Sequence, residues 1–140
     1  MAVFVNSTNY MIHFVGYRAD GIKFGQSDPD IYPNYARYIN QDHFGDTDWY
    51  IVVAYEQGAS VPDRVGVTAS SSGGGATIGV VVAGTGGTIG VSGSGGTVYS
   101  DGLAIVQTGP HDLWQVVEGP DRKWGFVPGG NYTDSTLSGW

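Results

Sequence analysis

The sequence contains no cysteine. A disulfide framework and a thiolate zinc site are therefore both excluded. Basic residues are scarce: six Lys and Arg stand against 13 Asp and Glu, a net charge of −7. A phosphate-tracking nucleic-acid binder or a polybasic membrane anchor needs clustered Lys and Arg, so neither class fits. Good helix formers are also few. There are two Glu (Glu56, Glu118), two Lys (Lys23, Lys123) and three Leu (Leu103, Leu113, Leu137). No apolar run of roughly 18 residues occurs, so no segment qualifies as a transmembrane helix. The opening Met1-Ala2-Val3-Phe4-Val5-Asn6-Ser7 has no basic region and does not read as a signal peptide. A cytoplasmic or non-classically secreted protein is the expectation.

What remains is rich in sheet and turn formers. Val, Ile and Thr make up 35 of 140 residues, the aromatics add 18, and there are 24 Gly. Of the 13 acidic residues, 11 are Asp, which suits turns better than helices. The length fits one ordinary domain, residues 1–140. Residues 65–100 carry no charge at all, whereas the chain's 14% average would place about five there.

Several stretches read as strands. Tyr10 to Tyr17 alternates between two apolar sets, as in a strand covered on both faces. Arg18-Ala19-Asp20-Gly21 then turns the chain into Ile22-Lys23-Phe24. Trp49 to Tyr55 is the clearest strand of the first half. Thr77 to Ala83 and Thr88 to Ser92 flank Gly84-Thr85-Gly86-Gly87 as a hairpin. Weak repeats at spacings near ten (Thr77-Ile78, Thr88-Ile89, Thr97-Val98) fit successive hairpin strands. Ser70-Ser71-Ser72-Gly73-Gly74-Gly75 reads as a loop, and Tyr32, Tyr35 and Tyr38 would share one face of a helical turn. In the last third, Leu103–Gln107, Leu113–Val117 and Lys123–Val127 are strands, the latter two joined by Glu118-Gly119-Pro120-Asp121. The expected fold is all-β: an antiparallel β-sandwich or small barrel with short hairpin-connected strands.

Three clusters carry possible chemistry. Asn40, Asp42, Asp46 and Asp48 surround Gly45 and supply oxygens of the kind Ca2+ prefers, although the spacing is not that of an EF-hand. Their other reading is a solvated loop whose Asp side chains cap turns. Aromatics beside polar residues form the second cluster: Asp46, Asp48 and Trp49; Tyr35 and Tyr38; and His111, Asp112 and Trp114. A sugar has an apolar C–H face and a rim of hydroxyls, which a ring flanked by Asp, Asn or His matches. Alternatively, such rings fill the core. The third cluster is the uncharged hairpin 77–92, with Ile78, Val80, Val82, Ile89 and Val91 on one face. Pore-formers insert such hairpins, but a spanning strand needs roughly nine to eleven residues.

No nucleophile elbow, phosphate loop, H-E-x-x-H or dinucleotide fingerprint occurs, and His13, His43 and His111 share no ligand spacing. Two acceptor tripeptides for N-glycosylation are present, Asn6-Ser7-Thr8 and Asn131-Tyr132-Thr133. In size, acidity, tyrosine content and lack of cysteine the chain is similar to small β-sandwich lectins and to aegerolysin- or actinoporin-like membrane binders. These are bulk properties. No motif places it in those families, and no functional residue is carried over. The expectation is a non-catalytic lectin whose partners are glycans, made multivalent as a homo-oligomer. One alternative is a membrane-binding, pore-forming toxin that uses Tyr32, Tyr35 and Tyr38 for a lipid headgroup and inserts residues 77–92. The other is an assembly subunit without a small ligand.

Overall fold

The computed structural model describes residues 1–40, 49–72, 75–81, 88–92 and 97–140, with side-chain surroundings given outside 67–101. The protein is all-β. The strands are β1 (Ala2–Asn6), β2 (Ile12–Tyr17), β3 (Lys23–Gln26), β4 (Ala36–Ile39), β5 (Tyr50–Glu56), β6 (Gly66–Ser72) and β7 (Gly75–Val81). They continue with β8 (Thr88–Ser92), β9 (Thr97–Asp101), β10 (Leu103–Thr108), β11 (Leu113–Glu118), β12 (Lys123–Pro128) and β13 (Leu137–Gly139). Ten of them form one sheet in the order β13-β4-β1-β11-β12-β9-β10-β5-β2-β3, and β6-β7-β8 form a second. The sheets do not close into a barrel and are consistent with a β-sandwich.

Most neighbours are antiparallel, but β1 runs parallel to β11 and β13 runs parallel to β4. The large sheet folds over on itself. Phe4 of β1 and Phe14 of β2 touch with ring centroids 5.7 Å apart, although their strands lie far apart in the sheet order. Side chains alternate across a strand, so even-numbered positions of β1, β2, β5, β10, β11 and β12 line this inner core. It contains Phe4, Phe14, Val52, Val106, Trp114, Trp124 and Phe126, all buried. At the two edges of the sheet, Phe24 and Trp140 pack against the same core.

Odd positions make two outer clusters. Val15, Tyr17, Ile51, Val53, Tyr55, Leu103 and Ile105 form one on β2, β5 and β10. All six residues of β2 are buried, as a strand covered on both faces requires. Within this cluster the Tyr17 hydroxyl donates to the Pro62 carbonyl at 2.8 Å and lies 3.1 Å from the Tyr55 hydroxyl. Burial pushes both phenols' pKa up. The other cluster, Val3, Val5 and Ala36, is covered by Tyr132 and Leu137. Tyr132 comes from a strap, 129–136, that leads from β12 to β13, and Leu137 opens β13.

Two local expectations differ from the structure. No helical turn holds Tyr32, Tyr35 and Tyr38. Pro33 and a left-handed Asn34 (φ 70°) turn the chain, and Ala36–Ile39 pairs with β1. Of the Ser-rich stretch, Ser70–Ser72 belong to strand β6, in register with β7 from Gly66↔Val81 to Ser72↔Gly75, and Gly73 and Gly74 lie outside the described residues. Its hydroxyls suggested a loop, but the ladder needs only backbone groups and a neighbouring strand. The expected 77–92 hairpin is seen as the antiparallel pair β7–β8. The register aligns Val67, Val80 and Ile89 in one cross-strand row and Thr68, Gly79 and Gly90 in the next.

Candidate functional site

Among the described residues, the most exposed aromatic pair is built by four consecutive residues, Tyr32-Pro33-Asn34-Tyr35. Pro33 presets the second position of a β-turn, and Asn34 takes the positive φ (70°) that the third position of a type II turn needs. The Tyr35 amide donates to the Tyr32 carbonyl at 3.0 Å and closes the turn. The two tyrosines at its ends therefore emerge side by side. Their ring centroids are 5.5 Å apart with planes tilted by 57°. Tyr32 is 51% exposed and Tyr35 is 39% exposed.

Asn6, fully buried at the end of β1, clamps this turn. Its amide donates to the Tyr35 carbonyl at 2.9 Å, and its carbonyl accepts from the Asn34 amide at 2.7 Å. Its side-chain Nδ2 donates to the carbonyls of Ile31 at 2.8 Å and Tyr10 at 2.7 Å. Its Oδ1 accepts from the Thr8 amide at 3.0 Å and the Thr8 hydroxyl at 2.6 Å. A single residue thus holds both ends of the turn. The next residue, exposed Ser7, donates to Gln115 Oε1 at 2.8 Å. That bond leaves the Gln115 amide donors turned away from Ser7. Ser7, Asn34 and Gln115 are all uncharged. Arg37 lies nearby in sequence, but its guanidinium is buried and donates to the carbonyls of Ala36 at 2.9 Å and Thr136 at 3.3 Å. Asp28 and Asp30 precede the turn; Asp28 Oδ1 accepts from the Asp30 amide at 2.9 Å, and Asp30 accepts from the Gln57 side chain.

The residues singled out in the sequence fare unevenly. Asp42, Asp46 and Asp48 lie outside the described residues, and Asn40 is exposed just after β4. Among the described residues no group of three or more His, Asp or Glu is placed to hold a metal ion. Trp49 is half-buried and packs against the outer cluster on β2, β5 and β10. Tyr38 is half-buried against Val3, Val5 and Ala36, and it does not join Tyr32 and Tyr35.

His111, Asp112 and Trp114 do not converge. His111 is exposed, with Nδ1 3.4 Å from the Met1 amine. Asp112 caps its own turn, accepting from the Gly109 amide at 2.8 Å. Trp114 is a core residue, only 5% exposed, whose Nε1 donates to Thr108 Oγ1 at 3.1 Å. Alternation explains this, because Trp114 occupies an inner-face position of β11. Tyr32 was singled out in the sequence only with Tyr35 and Tyr38, whereas Asn6, Ser7 and Gln115 were not singled out as neighbours of this turn. Tyr-Pro-Asn-Tyr was the legible signal, since Pro followed by Asn is type II turn chemistry.

No helix among the described residues is long and apolar enough to cross a membrane. No family model, no curated protein and no solved structure matches the chain.

Proposed function

We propose that the protein is a non-catalytic carbohydrate-binding protein whose site is the Tyr32–Tyr35 pair. The observation that carries this reading is an exposed aromatic pair held on a clamped turn, with the exposed, uncharged Asn34 in the same turn. Tyr rings offer an apolar face for sugar C–H groups and a phenol for a hydroxyl. The amides of Asn34 and Gln115 both donate and accept, which suits a hydroxyl rim. No ordering of the turn is needed on binding, because Asn6 has already fixed both ends. A shallow site of this kind binds one sugar weakly, and several linked copies would multiply that strength.

The test is a glycan array probed with the wild-type protein and with Tyr32→Ala and Tyr35→Ala variants. A related set of hits, lost in both variants, is expected. A blank array, together with dye release from liposomes, would overturn the reading in favour of membrane insertion.

A further inference from the structure

We propose that residues 129–140 form an exchangeable arm, which in a second copy of this chain docks on β4 in place of that copy's own arm. This inference does not depend on the glycan reading. The arm touches the body along one continuous track. Tyr132 and Leu137 cover Val3, Val5 and Ala36. Leu137, Ser138 and Gly139 pair with Ala36, Arg37 and Tyr38. Thr136 receives Arg37 Nη1 on its carbonyl at 3.3 Å; its hydroxyl donates within the arm to the Thr133 carbonyl at 2.8 Å and lies 3.4 Å from the Asn34 carbonyl. The Trp140 amide reaches the Tyr38 carbonyl at 3.3 Å, and its ring packs edge-on against Phe4 at 6.2 Å. At the junction the Gly129 amide also donates to the Leu113 carbonyl at 2.9 Å. Bonds such as Thr136 amide to Thr133 carbonyl at 2.9 Å are internal to the arm and travel with it.

The junction is a pair of glycines. Gly129 (φ 89°) and Gly130 (φ 139°) both hold backbone conformations that side-chain-bearing residues rarely adopt. A β-carbon on Gly130 would come within 3.1 Å of Val5 and Gln115. The fastening is light, since β13 has only three residues and two of them are exposed. Lifting the arm uncovers Val3, Val5 and Ala36 on the outer face and the edge of Phe4 on the inner face, apolar surfaces that an identical arm covers with identical contacts. Closed and exchanged forms therefore differ only in the junction and in the local concentration of the arm, which for a short linker is on the order of millimolar.

Strap length sets the balance. From β12 to β13 the strap crosses four strand spacings, roughly 19 Å at about 4.8 Å each. Its nine Cα steps from Pro128 to Leu137 reach at most roughly 30 Å. Removing Gly129 and Gly130 leaves seven steps, roughly 23 Å, with little slack for the turns at either end.

The natural sequence has no thiol, so introduced cysteines report without background. Ala36 and Leu137 are register partners. Equal amounts of an Ala36→Cys variant and a Leu137→Cys variant, mixed at high concentration and mildly oxidised, should yield a covalent heterodimer joined between positions 36 and 137. The Ala36→Cys/Leu137→Cys double variant should close within one chain when dilute, which shows that the pair can bond. The variant lacking Gly129 and Gly130 should be at least tenfold richer in dimer by light scattering at equal concentration. No 36–137 heterodimer from the mixture, alongside an internally bonded double variant and a monomeric shortened variant, would overturn the proposal.

Discussion

Replacing Asn6 by Ala tests how the aromatic turn is held. The side chain is fully buried and makes four hydrogen bonds. Truncation does not orphan all its partners. The Ile31 carbonyl still accepts from the Ile12 amide at 3.1 Å, and the Thr8 hydroxyl, released from Asn6 Oδ1, turns its proton to the Tyr10 carbonyl 3.3 Å away. The Thr8 amide, however, loses its acceptor. One stranded buried N–H costs about 1–3 kcal/mol, and two weakened carbonyls and a small void add to it. The total is about 3 kcal/mol. For a domain of this size that lowers Tm by about 10 °C. Thermal and urea unfolding followed by circular dichroism provide the assay. Asn6→Asp should do worse, because it buries a carboxylate and removes both donors. A loss below about 1 kcal/mol for Asn6→Ala would refute the clamp. The same burial bears on the first acceptor tripeptide: Nδ2 of Asn6 is committed and inaccessible in the folded protein, whereas Asn131 is exposed.

Three further outcomes follow from the packing. Burial of His13 lowers its pKa below 6.5, so the unfolded chain takes up a proton more readily than the folded one. Stability is then full above about pH 7 and falls as pH drops through 6.5; urea midpoints at pH 7.5 and 5.5 should differ, and less so in His13→Gln. A β-carbon on Gly16 would collide with the Phe24 ring, which packs at 4.8 Å on Tyr50. Gly16→Ala should therefore cost about 1–3 kcal/mol by urea unfolding. Trp114→Phe removes the bond to Thr108 and should lower stability by about 1 kcal/mol. Its glycan titration should match wild type, because Trp114 faces the core.

The strand content was legible because β-branched and aromatic residues dominate and helix formers are few. The two apolar sets of β2 showed directly that this strand is covered on both faces. The parallel pairs β1–β11 and β13–β4 were not legible, since local pattern carries no information about which distant strand becomes a neighbour. Strand β6 was hidden by serine and glycine, whose side chains speak for loops while their backbones pair well. The candidate site was partly legible. Tyr35 is legible by its chemistry, but the three-residue spacing points to a helical turn, whereas left-handed Asn34 and the pairing of Ala36–Ile39 with β1 make a β-turn and a strand. His111, Asp112 and Trp114 are close in sequence, but the first two lie in the turn before β11, and alternation within β11 sends Trp114 to the core. Asn6 was visible only as part of an acceptor tripeptide, because its role depends on chain segments 25 and more residues away.

The central claim is that Tyr32 and Tyr35 together form a sugar platform. The most direct measurement is a calorimetric titration of the array's best glycan into wild type, Tyr35→Phe, Tyr35→Ala and the Tyr32→Ala/Tyr35→Ala double variant. Folding of each is checked by circular dichroism. Both tyrosines are exposed, so stability should change little. Tyr35→Phe should bind within about threefold of wild type, Tyr35→Ala at least tenfold more weakly, and the double variant not measurably. Wild-type affinity in the folded double variant would contradict the account and place glycan recognition elsewhere on the molecule.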